Sequence, residues 1–268
     1  MRITVIVGMI GLGILSWSPL CAQDTLTVMS YNIYHGEQPY NEGQNNLQEV
    51  ADLIKEIQPD FVALQEVDEM TERVAALNQG QPFSLADSLA ALTGMHGYFG
   101  KAIDYAGGGY GEGLLSKVPL ETQKIMLPVP KGGEDRALLF AKVQTSSGHH
   151  LIVGGTHLGH QFSENRLAQV VRINDYFSDM DVPILLGGDF NFTPESESYR
   201  TMQEQWIDAA LLSGVEPGPT ISYENPQKRI DYIFLSREFD WEVLDYRTIK
   251  VGYSDHMPVV ATIVMHAR

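Results

Sequence analysis

Leu26-Thr-Val-Met-Ser-Tyr-Asn-Ile33 alternates apolar and polar residues as a half-buried strand does, and it ends in a polar stretch around Gly36. Downstream, Leu47, Val50, Ala51, Ile54 and Ile57 recur at helical spacing and form one apolar stripe that Pro59 terminates. Phe61-Val-Ala-Leu64 follows as a short buried strand. The same order returns at Leu151-Ile-Val-Gly-Gly-Thr156, then a helix with Leu167, Val170, Val171, Asn174 and Phe177 on one face, then Pro183-Ile-Leu-Leu186. Strand, helix and strand repeated in this way predict an α/β fold. Further strands are expected at Arg229 to Leu235 and Pro258 to Met265. The Gly-rich stretch from Tyr105 to Gly113 and the polar stretch from Val129 to Asp135 are too short for domain linkers. They are expected to be connections, the first a flexible loop beside a site.

The 268 residues hold 18 Lys plus Arg against 34 Asp plus Glu, a formal charge of −16, with 44% hydrophobic and 19% charged residues. This composition excludes disorder, collagen and coiled coil, and so acidic a chain is poorly suited to coating nucleic acid, whose affinity rests on cations. Residues 1 to 22 carry Arg2, an apolar run from Ile3 to Leu15, and Ala22 before Gln23, the order of a secretory signal peptide. The apolar run is shorter than the roughly 20 residues that span a bilayer. Cleavage after Ala22 removes Arg2 and Cys21, which leaves 17 basic and 34 acidic residues, a net charge of −17, and no cysteine. The expectation is an exported, periplasmic or secreted bacterial protein without disulfides, with residues 23–268 as one catalytic domain. Lipoprotein anchoring at Cys21 is the alternative, which the bulky Leu20 disfavours. No stable membrane span after processing and no protein partner are expected.

The informative pattern is where polar residues fall. Asn32 ends the first strand, Glu66 lies two residues past the second, His157 follows Thr156, and Asp189 with Asn191 follows Leu186. Asp231 sits in Arg229-Ile-Asp-Tyr-Ile-Phe, and Asp255-His256 precedes Met257-Pro-Val-Val260. Side-by-side strands would bring these residues to one rim. A set rich in carboxylate and amide oxygens suits Mg²⁺, Mn²⁺ or Ca²⁺ better than zinc, and serves phosphoryl transfer by metal-assisted attack of water. There is no Gly-x-Ser-x-Gly elbow, so serine acyl chemistry has little support.

Six ordered motifs carry a family resemblance: Tyr31-Asn-Ile, Leu64-Gln-Glu-Val67, Gly155-Thr-His-Leu158, Gly188-Asp-Phe-Asn191, Arg229-Ile-Asp-Tyr-Ile-Phe234 and Ser254-Asp-His-Met-Pro258. Over nearly the whole mature chain they resemble the endonuclease/exonuclease/phosphatase superfamily, most closely its short secreted bacterial metal-dependent hydrolases. The resemblance implies a four-layer α/β sandwich, two mixed β-sheets packed face to face with helices outside. By the same resemblance, Glu66 is the main metal ligand, with Asn32 and Asp255 completing the site. Asp189 and Asn191 orient the attacking water and the phosphate. His256 pairs with Asp231 as base or phosphate-stabilising cation, and His157 is the second phosphate-binding or leaving-group-side histidine. Tyr105, Glu112 and Arg136 are candidates for substrate contact, Glu112 alternatively for holding His157. Gly159 stands where a carboxylate is common in Thr-His-Leu-Asp-His, which leaves the role of His160 open, and His35 is equally well explained as a turn residue or as facing the site.

The expected activity is that of a Mg²⁺-dependent phosphoric ester hydrolase, a phosphodiesterase or phosphatase acting on a small ester or a lipid head group. A secreted DNase-like endonuclease is the alternative, with Lys101, Lys117, Lys124, Lys131 and Arg136 as its candidate basic patch. A non-catalytic binding protein on the same scaffold is disfavoured by the complete set of metal and acid-base residues.

Overall fold

A computed structural model describes residues 24–266; the leader expected at residues 1–22 lies outside them. Twelve strands run in chain order as β1 (Asp24–Asn32), β2 (Phe61–Glu69), β3 (His96–Tyr105), β4 (Gly108–Ser116), β5 (Thr122–Leu127), β6 (Arg136–Gln144), β7 (His150–His157), β8 (Ile184–Asp189), β9 (Trp206–Asp208), β10 (Asp231–Ser236), β11 (Trp241–Thr248) and β12 (Val259–Met265). They form two six-stranded sheets, ordered β11-β12-β1-β2-β4-β3 and β5-β6-β7-β8-β10-β9. Both are mixed. Within each, one parallel pair, β1 with β2 or β7 with β8, is flanked by antiparallel neighbours.

The parallel pairs need crossover helices, and the two apolar stripes supply them. α1 (Leu47–Ile57) joins β1 to β2 and buries Val50, Ala51, Leu53 and Ile54. With α2 (Glu72–Ala76) and α3 (Leu85–Thr93) it covers the outer face of the first sheet, packing on Met29, Tyr31, Val62 and Leu64. α4 (Ser163–Phe177) joins β7 to β8 and, with α5 (Glu197–Met202), covers the second sheet over Leu138, Phe140, Ile152 and Leu186. A short α6 (Ala209–Leu212) follows β9. Between the sheets lies a third apolar layer, with Val28, Phe61 and Leu114 from one side and Leu139, Val153, Leu185 and Ile233 from the other. The result is the expected four-layer sandwich.

Three expectations are corrected. The buried face of α4 is made by Asn165, Gln169, Val170, Ile173, Asn174 and Phe177, while Val171 is exposed. The stripe is rotated toward Asn165 and Gln169, which are buried with Asn165 Oδ1 accepting the Lys131 N–H and Gln169 Oε1 the Gly159 N–H, polar contacts that hydropathy does not reveal. The Gly-rich stretch is the end of β3 and most of β4, a paired antiparallel hairpin and no flexible loop. Its glycines permit close strand approach: a Cβ at Gly111 would strike the carbonyl oxygen of Gly100, and one at Gly108 that of Glu69. Finally, β2 runs past Leu64 to Glu69, so Glu66 lies inside the strand, at a register shift between Leu64 and Val67.

Candidate active site

The polar residues meet where the parallel strands end. In β-sheet register His157 pairs with Asp189 and Asp231 opposes Asp189, so three candidate side chains emerge side by side from β7, β8 and β10. The first sheet delivers Asn32 from the end of β1. Asp189 Oδ2 is the point of convergence: Asn32 Nδ2 donates to it at 3.1 Å, His157 Nε2 lies at 3.3 Å and His256 Nε2 at 3.6 Å. Its other oxygen, Oδ1, accepts the Asn191 amide N–H at 3.0 Å. The second nitrogen of His256, Nδ1, sits 2.9 Å from Asp231 Oδ2. All of these side chains except Asn191 are nearly or fully buried.

Burial, opposed by the His256 cation and helped by Asp231, raises the Asp189 carboxyl to about 7. His256 goes the other way. Burial disfavours its charge, yet Asp231 and Asp189 dominate and hold its proton up to about 10. His157 is kept neutral by burial and by Arg136, whose Nη1 stands 3.4 Å from its Nδ1. Two histidines within reach of one carboxylate therefore differ in charge because one has a buried carboxylate behind it and the other a guanidinium.

Glu66 occupies the opposite wall. The bulge gives it φ +58°, and bulges commonly re-aim a side chain beside a site. Tyr34, His35 and Asn191, at φ +49°, +44° and +51°, share this left-handed backbone. Asn32 Nδ2 donates to Glu66 Oε1 at 3.1 Å, and His35 Nδ1 lies 3.3 Å from Oε2. Burial would raise this carboxyl; the hydrogen bonds to His35 and Asn32 outweigh it and hold it at about 2. Asp255 is raised by burial and by repulsion from Glu66. Asn46 fixes its loop by donating to the carbonyls of Ile33, Glu37 and Tyr253.

Glu66, Asp255 and Asn32, whose Oδ1 accepts the Tyr34 N–H at 3.1 Å, offer carboxylate and amide oxygens of the kind a divalent cation takes, and such a cation would relieve the repulsion between Asp255 and Glu66. Among the described residues, the tightest chelating group is a different one, Asp189, Asp231 and His256, with ligand atoms within 4.8 Å of one another. His256 is protonated there and engaged by Asp231, which makes a hydrogen-bonded pair the better description of that trio.

The three expected substrate contacts separate. Tyr105 is a half-exposed ring at the rim, beneath the Arg73 guanidinium at 4.6 Å. Glu112 is buried with Oε2 lacking a hydrogen-bond partner, and burial raises its carboxyl well above the usual range. Arg136 is 2% exposed, its head directed at His157, at Glu134 (3.1 Å) and at His160 (3.4 Å). Glu112 and Arg136 thus stand behind the histidines. His35 faces the site. Arg73, which pairs with Asp68 through two nitrogens and caps Tyr105 and Tyr110, was not legible in the sequence. Its only signal is the Asp68 to Arg73 turn, with Thr71 as helix cap.

The candidate basic patch disperses. Lys101 pairs with Asp104, Lys117 with Asp60, Lys131 with Glu164 and Arg136 with Glu134, while Lys124 donates to the Lys101 carbonyl. No helix among the described residues is long and apolar enough to cross a membrane.

The sequence model of the endonuclease/exonuclease/phosphatase family matches residues 29–256. The uncharacterized protein YbhP of Escherichia coli (strain K12) is 25% identical over 248 residues, covering 90% of this chain and 97% of that protein. Among solved structures, a functionally unknown conserved protein from Enterococcus faecalis V583 superimposes with a TM-score of 0.75 at 22% identity, over 90% of this chain and all of that one. A mannosyl-6-phosphatase from Bacteroides thetaiotaomicron VPI-5482 does so with a TM-score of 0.68 at 17% identity, over 90% and 100%. At these identities the structures establish a shared fold.

Proposed function

We propose a phosphoesterase activity from one premise: the chain belongs to the endonuclease/exonuclease/phosphatase family. The reaction is hydrolysis of a small or lipid-derived phosphate ester, assisted by a divalent cation of the Mg²⁺ class, in a protein exported by residues 1–22. The observation that carries it is the convergence of Asn32, His157 and His256 on one oxygen of Asp189, with Glu66 across Asn32.

Glu66, Asn32 and Asp255 would hold the cation, which supplies neutralisation of phosphate and leaving-group oxygens. Asp189, poised near neutrality, accepts the proton of the attacking water. His256, kept cationic by Asp231, faces the charge that grows on the phosphoryl oxygens. Neutral His157 contributes an N–H with Arg136 fixing its ring, and Asn191, tied by Nδ2 to the Leu158 carbonyl at 3.0 Å, presents its amide to the phosphate. That one fold relative is a mannosyl-6-phosphatase supports a phosphate monoester as a first substrate arm. The nuclease reading is disfavoured because its cations are paired or buried and the net charge is −16.

The test is a panel of sugar phosphates, a nitrophenyl phosphodiester, sphingomyelin and plasmid DNA, each with Mg²⁺ and with chelator. Turnover of a small or lipid ester, abolished by chelator, is expected. Plasmid cleavage as the fastest reaction at physiological salt overturns it.

A further inference from the structure

Tyr105-Ala-Gly-Gly108 closes the β3–β4 hairpin with a two-residue turn, in which Ala106 and Gly107 take φ +42° and +78°, the left-handed pair whose twist matches that of the flanking strands. The tip is tied down, since the Glu72 N–H donates to the Ala106 carbonyl at 2.7 Å. It also lies backbone against backbone on the end of β2, where a Cβ at Gly108 would strike the carbonyls of Glu69 and Met70. Tyr105 therefore stands on a fixed support.

Its ring is held as well. The Arg73 guanidinium lies 4.6 Å from the Tyr105 centroid and 5.3 Å from that of Tyr110. Arg73 is itself clamped, because Nε and Nη2 donate to the two oxygens of the fully buried Asp68 at 2.9 and 2.6 Å. Inward, the Tyr105 ring is 6.1 Å from that of Tyr110. Tyr110 connects the rim to the site: burial and then the charge of Glu66 push its phenol up, and Arg136 opposes. Outward, Tyr105 keeps 40% of its surface exposed, and Met70 beside the hairpin keeps 49%.

A ring clamped on one side and left open on the other has little rotamer freedom to lose on binding, which is the form of a preorganised contact. With the Arg73 charge met by Asp68, the rim offers a flat apolar face, and a second planar ring gains stacking there beyond the area it covers. We propose that Tyr105 determines specificity, as a fixed stacking platform for a planar aromatic ring on the organic side of the phosphate ester. The proposal rests on the phosphoesterase reading for the place of the phosphate and on the hairpin alone for the ring contact.

The experiment compares 2-phenylethyl phosphate with 2-cyclohexylethyl phosphate, which share a leaving oxygen on a primary carbon and differ in whether the ring is flat. Turnover with Mg²⁺ is measured in the wild type, Tyr105→Ala, Tyr105→Phe and Leu244→Ala. Calorimetry follows binding of the matching phosphonates, 3-phenylpropylphosphonate and 3-cyclohexylpropylphosphonate, to the same proteins. Leu244 is exposed on β11, at the opposite edge of the first sheet from β3, and controls for the loss of an exposed apolar side chain. The wild type is expected to favour the flat ring about tenfold in kcat/KM and in affinity. Tyr105→Ala should remove most of that preference, while Tyr105→Phe and Leu244→Ala keep it. Equal treatment of the two rings by the wild type in both measurements, or a preference that survives in Tyr105→Ala, overturns the platform. Ring-dependent phosphonate binding without turnover of either ester retains the platform and sinks the phosphoesterase reading.

Discussion

The β1-α1-β2 and β7-α4-β8 units share one design, a parallel strand pair crossed by a helix, and their strand ends face each other across the sandwich. They deliver opposite electrostatics. The first ends in Glu66, 20% exposed and held ionised down to about 2 chiefly by its hydrogen bonds to His35 and Asn32. The second ends in His157 and Asp189, buried beside Asp231, where the carboxyl rises to about 7 and the imidazole stays neutral. A bulge makes the difference at Glu66: it turns that side chain outward, whereas regular register keeps Asp189 within the sheet layer. On the proposed phosphoesterase reading, one wall would hold a cation and the other would move a proton.

The largest effect should come from the proton-moving wall. Asp189→Asn and His256→Ala are each expected to lower kcat on the preferred ester by about 1,000-fold, on the order of combined general-base and charge-stabilising losses, with circular dichroism unchanged. A loss below tenfold would remove Asp189 from the base role. The cation-holding wall should respond differently. Glu66→Gln is expected to cost about 100-fold at fixed Mg²⁺ and to raise the Mg²⁺ concentration needed for half-maximal rate. An unchanged metal requirement would break the division between the two walls.

The smallest effect concerns pH and stability. The fold raises the His256 pKa from 6.5 to about 10, so the stabilisation from its cation is complete below about 6.5 and is lost as pH climbs toward 10. Asp231→Asn removes the main partner. The thermal midpoint of the variant should therefore fall less than that of the wild type between pH 7 and pH 10. Parallel curves would show that Asp231 does not hold the proton.

Much of this was legible beforehand. Apolar alternation in Leu26 to Ile33 and the stripe from Leu47 to Ile57 lead to β1 and α1 with only small shifts of boundary. Each polar motif follows an apolar strand, and parallel neighbours bring strand ends together. Other features were hidden because they depend on partners distant in sequence. The pairing of β3 with β4 turned an apparent glycine loop into a hairpin, and the backbone contacts of Asn165 and Gln169 rotated the buried face of α4. Arg73 reaches the rim only through stacking on Tyr105 and Tyr110. The lysines read as a patch were met by Asp60, Asp104 and Glu164.

Periodicity and residue type are local properties, and they suffice for the α/β class, the order of the strands' polar ends and the oxygen-rich character of the candidate site. Tertiary structure alone decided which histidine is charged, that Arg136 and Glu112 stand behind the site, and that Arg73 holds Tyr105 at its rim. Charge state and field depend on burial and on neighbours through space, and in this chain those neighbours lie on different strands and in different sheets.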